Sequence, residues 1–201
     1  MTDWIKKWLV FCADAVLNTQ RIMKKISTVI FLFLSTIAFL ASCNRPSPDQ
    51  FFQTTILNTN ILVGFASERF TKELVDNTVE FPDVPASKKK GDEAQQIIQS
   101  KIGYIEQTIQ RIEDATPPDE DGETIKVKSL ELYNFVLPVY KKEYLDLAKL
   151  CDAKQPEADI AAASTKLIET FGPNFEERYV ALLELGKAYA EKHRLNVSFG
   201  N

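Results

Sequence analysis

Histidine, glycine and sulfur are scarce in this 201-residue chain, which holds one His, seven Gly, three Cys and two Met. With His193 alone, the paired Glu-x-x-His motifs of a di-metal helical protein are excluded. His-Glu-x-x-His and Cys-x-x-Cys-His are missing as well, so neither a zincin site nor an attached haem is expected. The scattered glycines form no Gly-x-x-x-x-Gly-Lys, Gly-x-Gly-x-x-Gly or Gly-x-Ser-x-Gly, which removes phosphate cradles and the nucleophile elbow. No cofactor and no metal are expected. An enzyme would need carboxylates such as Glu143 or Glu176 set in a cleft, and spacing selects neither; the chain reads as a non-enzyme.

What is present begins at the front. Met23-Lys24-Lys25 is followed by about 15 mostly apolar residues from Ile26 to Leu40, then by Ala41-Ser42-Cys43. A basic start, an apolar middle and small residues at a cut are the parts of a secretory signal. The apolar run is shorter than the roughly 20 residues a spanning helix needs, and polar Asn44-Arg45-Pro46-Ser47-Pro48 follows at once. Leu40-Ala41-Ser42-Cys43 resembles the lipobox of bacterial lipoprotein precursors, a leucine-like residue and two small residues before a cysteine.

That resemblance implies cleavage between Ser42 and Cys43 and acylation of the Cys43 thiol and amine. Two or more acyl chains, at about 0.8 kcal/mol per buried methylene, hold a protein on a membrane without a spanning segment. It further implies a place in the cell envelope, facing the periplasm or the surface, with membrane lipid as the first partner and an unidentified envelope protein as a possible second. Asn44, where an aspartate would favour inner-membrane retention in this class, points to the outer membrane. Residues 1–22 carry Trp4, Ile5, Trp8, Leu9 and Phe11 around Lys6 and Lys7. They read as an extended or non-native N-terminal region ahead of a start at Met23, with 23–42 the signal and 43–48 a tether.

Five of the 24 basic and two of the 28 acidic side chains precede Cys43, leaving 19 against 26 and a net charge of −7 on the rest. An acidic body repels phosphate, so nucleic acid is excluded as a partner. Loss of Cys12 and acylation of Cys43 leave Cys151 without a disulfide partner.

Residues 49–195 read as helices, ahead of a flexible tail over 196–201. Ser47-Pro48-Asp49-Gln50 is a capping box with proline in the first turn, and Phe52, Ile56, Val63, Ala66, Phe70 and Leu74 recur at helical spacing to about Glu80, with Gly64 inside. A second helix opens at Asp92 with Gln95 as another capping box, and Ile98, Ile102, Ile105, Ile109 and Ile112 form its regular stripe. A third spans about Asp119 to Asp152 and is expected to kink near Asn134 to Pro138. A fourth starts after Pro156 and is expected to break at Gly172-Pro173, with Asn174 capping the second half.

Four long helices with mostly short joins predict an all-α, antiparallel up-down-up-down four-helix bundle with kinks in its third and fourth members. Asp119-Glu120-Asp121-Gly122-Glu123 lacks the frame of a calcium loop and reads as acids at a helix N-terminus. Lys88-Lys89-Lys90 reads as a solvated loop, His193 as a cation at a helix C-terminus, and Cys151 as a small buried thiol. The broad apolar arc of Leu132, Tyr133, Phe135, Val136, Val139 and Tyr140 beside Pro138 is the one candidate surface for a ligand or partner. Two functions follow: an anchored structural or interaction protein, or a periplasmic carrier of a small molecule or peptide that uses that arc as a pocket.

Overall fold

A computed structural model describes residues 47–197; Leu40, Ala41, Ser42, Cys43 and the rest of residues 1–46, and the tail from 198 onward, lie outside the described residues. Within them the chain is all-helical, with no strand. It runs through α1 (Pro48–Thr55), a 3-10 segment (Leu57–Leu62), α2 (Glu68–Asn77), a 3-10 turn (Pro85–Ser87), α3 (Glu93–Asp114), α4 (Glu120–Val139), a π turn (Tyr140–Tyr144), α5 (Leu145–Asp152) and α6 (Glu157–His193). No described helix is long and apolar enough to cross a membrane.

The capping box at the start of α1 forms as the sequence requires. Ser47 Oγ accepts from the Gln50 N–H and Gln50 Oε1 accepts from the Ser47 N–H, each at 3.2 Å. The rod expected from there to Glu80 is broken instead. Gly64 (φ +91°) and Ala66 (φ +50°) both take the left-handed region, which turns the chain sharply before Ser67 caps α2. Between them Phe65, 4% exposed, points into the core. Its ring meets those of Phe135 (6.3 Å), Tyr140 (5.6 Å), Tyr144 (5.7 Å) and Phe175 (4.6 Å), most of them edge to face or tilted as aromatic quadrupoles prefer. Tyr144 completes the joint by accepting a 2.7 Å hydrogen bond from the Ala66 N–H on its hydroxyl.

The start of α3 departs from the sequence reading in a different way. Asp92 sits at the cap position but its side chain makes no capping bond. Asp152, from the end of α5, accepts from the Ala94 N–H (2.9 Å) and, through its other oxygen, from the Gln95 N–H (3.1 Å) and Gln95 Nε2 (3.0 Å). A tertiary carboxylate thus satisfies the orphan donors that a local residue was expected to take.

Pro138 lies inside α4, where the kink was expected. It has no N–H to donate, and two residues later the helix widens into the π turn, a form in which an extra residue is accommodated within a helix. Tyr140 and Tyr144 stack there at 4.6 Å, both facing Phe65 and Phe70. The break expected at Gly172-Pro173 does not occur, since α6 continues through it to His193. Pro173, Glu169 and Asn174 are solvent-exposed, so the carbonyl that proline leaves without a donor faces water. Asn174 therefore caps nothing; its carbonyl accepts from Arg178 within the helix.

The ends of the rods are pinned to one another. Lys126 donates to the carbonyls of Glu113 (2.7 Å) and Ala115 (2.8 Å), joining the start of α4 to the end of α3. Lys192 and His193, at the end of α6, meet Asp119, whose carboxylate caps α4 through the Gly122 N–H (2.9 Å). Phe51 and Phe52 of α1 pack on Tyr189 near the same end of α6. There α1 and α6 touch so closely that a Cβ at Gly186 would lie 3.0 Å from Ile56 Cγ2. At the other end of α6, Ser164 meets Thr71 of α2, hydroxyl to hydroxyl at 2.6 Å.

Two buried tyrosines separate packing from hydrogen bonding. Tyr144→Phe leaves the part-buried Ala66 N–H without its acceptor and is expected to lower stability by about 1–3 kcal/mol. The Tyr133 hydroxyl has no hydrogen-bond partner, so Tyr133→Phe is expected to leave stability unchanged or raise it by about 1 kcal/mol. Urea unfolding of the two variants side by side measures the contrast.

Candidate functional site

The apolar arc singled out in the sequence is interior. Leu132, Tyr133, Val136, Val139 and Tyr140 are buried, and Phe135 is half-buried, with the Arg178 guanidinium 4.7 Å above its ring. Phe65, turned in by the left-handed bend, occupies the ground beside the π turn where a ligand was expected. Burial pushes the Tyr133 and Tyr140 phenols far above their ordinary range, so both stay neutral. The arc belongs to the core.

The open space lies elsewhere. A cleft of about 770 Å³ opens between α2 and the turn after it, the end of α5, and the first turns of α6. Val75, Cys151, Ile160 and Ala161 give it an apolar floor, and Thr71 and Ser164 bridge it at its inner side. Glu80 and Lys154 close one lip at 3.3 Å, and the same Glu80 oxygen accepts from the Lys89 N–H at 3.3 Å. Lys72 and Asp76 pair along α2 at 2.6 Å. Glu68 and Glu157, each in the first turn of its helix, contribute the other carboxylates.

Lys154 occupies a position that ordinarily belongs to glycine. After α5 the Gln155 N–H reaches back to the Leu150 carbonyl and the Lys154 N–H to the Cys151 carbonyl, a Schellman ending with Lys154 at φ +52°. Arg194 closes α6 with the same left-handed geometry. A side chain held there costs about 1 kcal/mol relative to glycine. At Lys154 it sets an ammonium on the lip of the cleft, against Glu80.

Beside the cleft, a short loop carries Phe81 and Val84 into solvent, 60% and 49% exposed. The loop is ordered by one hydroxyl: Ser87 Oγ accepts from the Phe81 N–H at 2.8 Å and lies 2.7 Å from the Val84 carbonyl, to which it can donate. The residues named from sequence as charged features are accounted for without a ligand. Asp119 and Asp121 hold Lys192, and His193 lies 3.0 Å from Asp119 with its ring against Tyr189. Hydrogen bonding from Lys192, and also from the Gly122 amide and His193, holds the Asp119 carboxyl below the usual carboxylate range. Glu143 pairs with Lys142 at 2.9 Å, and Glu176 is on the exposed face of α6. Among the described residues no group of three or more His, Cys, Asp or Glu could hold a metal ion.

The cleft draws on residues from three helices that share no motif, which is why spacing alone did not find it. The signal that was available is the small-polar pair Thr71 and Ser164 among the inward-facing residues of two helices.

Two measurements follow from these environments. Burial, with a smaller contribution from Asp152, pushes the Cys151 thiol up to about 11, so it stays protonated at neutral pH. A disulfide-exchange reagent at pH 8 is expected to label it far more slowly in the folded protein than in the unfolded chain. For Asp119 the folded-state pKa lies below 3.8, so its contribution is present above that value and is lost as pH falls through the folded value. Asp119→Asn should therefore cost about 0.5–1 kcal/mol at pH 7 and progressively less below about pH 4, as read by denaturant melts across pH.

Comparison with known proteins returns no match to a family model, a curated protein or a solved structure.

Proposed function

We propose that the chain is a lipid-anchored protein of the bacterial cell envelope, on the outer membrane, whose helical domain works by holding a ligand or partner and not by catalysis. Anchoring rests on Leu40-Ala41-Ser42-Cys43 and the basic, apolar stretch before it. In this reading the α1–α2 segment, α3, the α4–α5 rod and α6 alternate in direction as an up-down-up-down four-helix bundle. The pairings of rod ends support that order: α5 with the start of α3, α3 with the start of α4, and α4 with the end of α6.

The observation that carries the reading is the separation of tether and cleft. Helix α1 is capped by Ser47, and a four-residue step from Cys43 spans at most about 14 Å when fully extended. The start of α1 therefore stays near the anchor. It packs beside Tyr189, near the last turn of α6, whereas the cleft is made by the first turns of that helix. At 1.5 Å per residue the two lie about 40 Å apart along α6. In an anchored domain of this build the cleft stands at the opposite end of α6 from the helix that follows the tether. The carrier reading thus moves from the α4 arc to this cleft, where an apolar floor and a polar rim suit a small molecule or an apolar peptide segment.

Labelled palmitate supplied to bacteria expressing the full chain is the test. Incorporation is expected for the natural sequence and abolished in Cys43→Ser, and inhibiting the lipoprotein signal peptidase should leave a species longer by the signal. A Cys43→Ser chain that labels equally, or a natural chain that never labels, removes the anchor.

A further inference from the structure

We propose that the cleft between α2, α5 and α6 is a binding site for an organic cation bearing an apolar tail; this rests on the reading of that cleft as the working site. Its volume, about 770 Å³, lies within the range of small-molecule pockets. The depth suits hydrocarbon. Val75, Cys151 and Ile160 line it, and the Thr71 and Ser164 hydroxyls already satisfy each other at 2.6 Å. A tail lying over them strands no hydrogen-bonding group.

The rim decides the sign of the headgroup. Both lysines that line the cleft are engaged, Lys72 by Asp76 at 2.6 Å and Lys154 by Glu80 at 3.3 Å. Glu68 and Glu157 have no ion-pair or hydrogen-bond partner among the described residues. Each sits in the first turn of a helix, where the macrodipole favours the ionised carboxylate while leaving its oxygens open to a further donor. The unspent charge of the rim is thus negative. Glu68 and Glu157 stand at opposite ends of the cleft, since α2 runs antiparallel to α6, with Thr71 on Ser164 and Glu80 on Lys154. An ammonium headgroup meets one available acceptor at either end, whereas a carboxylate headgroup meets like charge or must draw a lysine away from its partner.

The probes are octylammonium and octanoate, equal in chain length and opposite in charge, titrated into the full-length protein by calorimetry with methyl NMR on Val75 and Ile160. Octylammonium is expected to bind up to about fivefold more tightly than octanoate, the scale of one partly exposed ion pair, and to shift those methyl signals. Glu68→Gln combined with Glu157→Gln should abolish the preference while leaving octanoate binding no weaker. Both glutamates are exposed, so the folded state is retained, and a melting curve of the double variant verifies it. Equal or tighter binding of octanoate, or a preference that survives the double variant, overturns the charge assignment but leaves the cleft a ligand site. If neither probe moves the Val75 and Ile160 signals, the inference falls together with the ligand-holding part of the proposed function, while palmitate labelling judges the anchor separately.

Discussion

The joint at Phe65 is the constraint on which the remaining packing depends. Two consecutive rods of the first segment could have been one, but left-handed backbone at Gly64 and Ala66 directs a phenyl ring inward, where four other rings close on it. Burial of a ring that size is worth on the order of 1.5–3 kcal/mol, enough to offset the left-handed alanine. The π turn belongs to the same arrangement: by widening the helix after Pro138 it brings Tyr140 and Tyr144 together on the side that Phe65 approaches. The Tyr144 hydroxyl then holds the bend itself.

The same joint creates the cleft. With the bend in place, α2 is displaced from the line of α1 and lies across α3, α5 and α6 as a separate short helix. Its contact with α6 is completed by the small hydroxyl pair Thr71 and Ser164, and beyond that pair the two helices leave space over Cys151 and Ile160. A continuous first helix would have no such freedom of direction.

Helical content, the capping box at Ser47 and Asp119's place at the start of α4 were legible because they depend on neighbours within one turn. What escaped the sequence depends on distant residues. Gly64 advertised a weak point, but nothing local says that Ala66 will also go left-handed, since the compensation comes from Tyr144. Asp92 and Gln95 satisfied a local pattern that Asp152 displaced with better-placed oxygens. Pro173 carried a strong local signal for a break, overridden because its flank is wet and the rest of α6 is packed on both sides. The arc on α4 was correctly read as broad and apolar; the breadth reflects enclosure by Phe65 and its neighbours, and the accessible space was formed by three helices with no shared spacing.

The fastenings also bear on the order of assembly. Ala66 is held by a group 78 residues further on, Ala94 by one 58 residues on, and Asp119 by one 73 residues on. Loops of that length close slowly compared with the winding of a single helix. A polypeptide emerging from its amino end would therefore carry its first aromatic residues unpacked until the π turn has followed them out. Such a late-locking topology keeps the leading half pliable during synthesis, and reserves rigidity for the moment when the trailing half arrives.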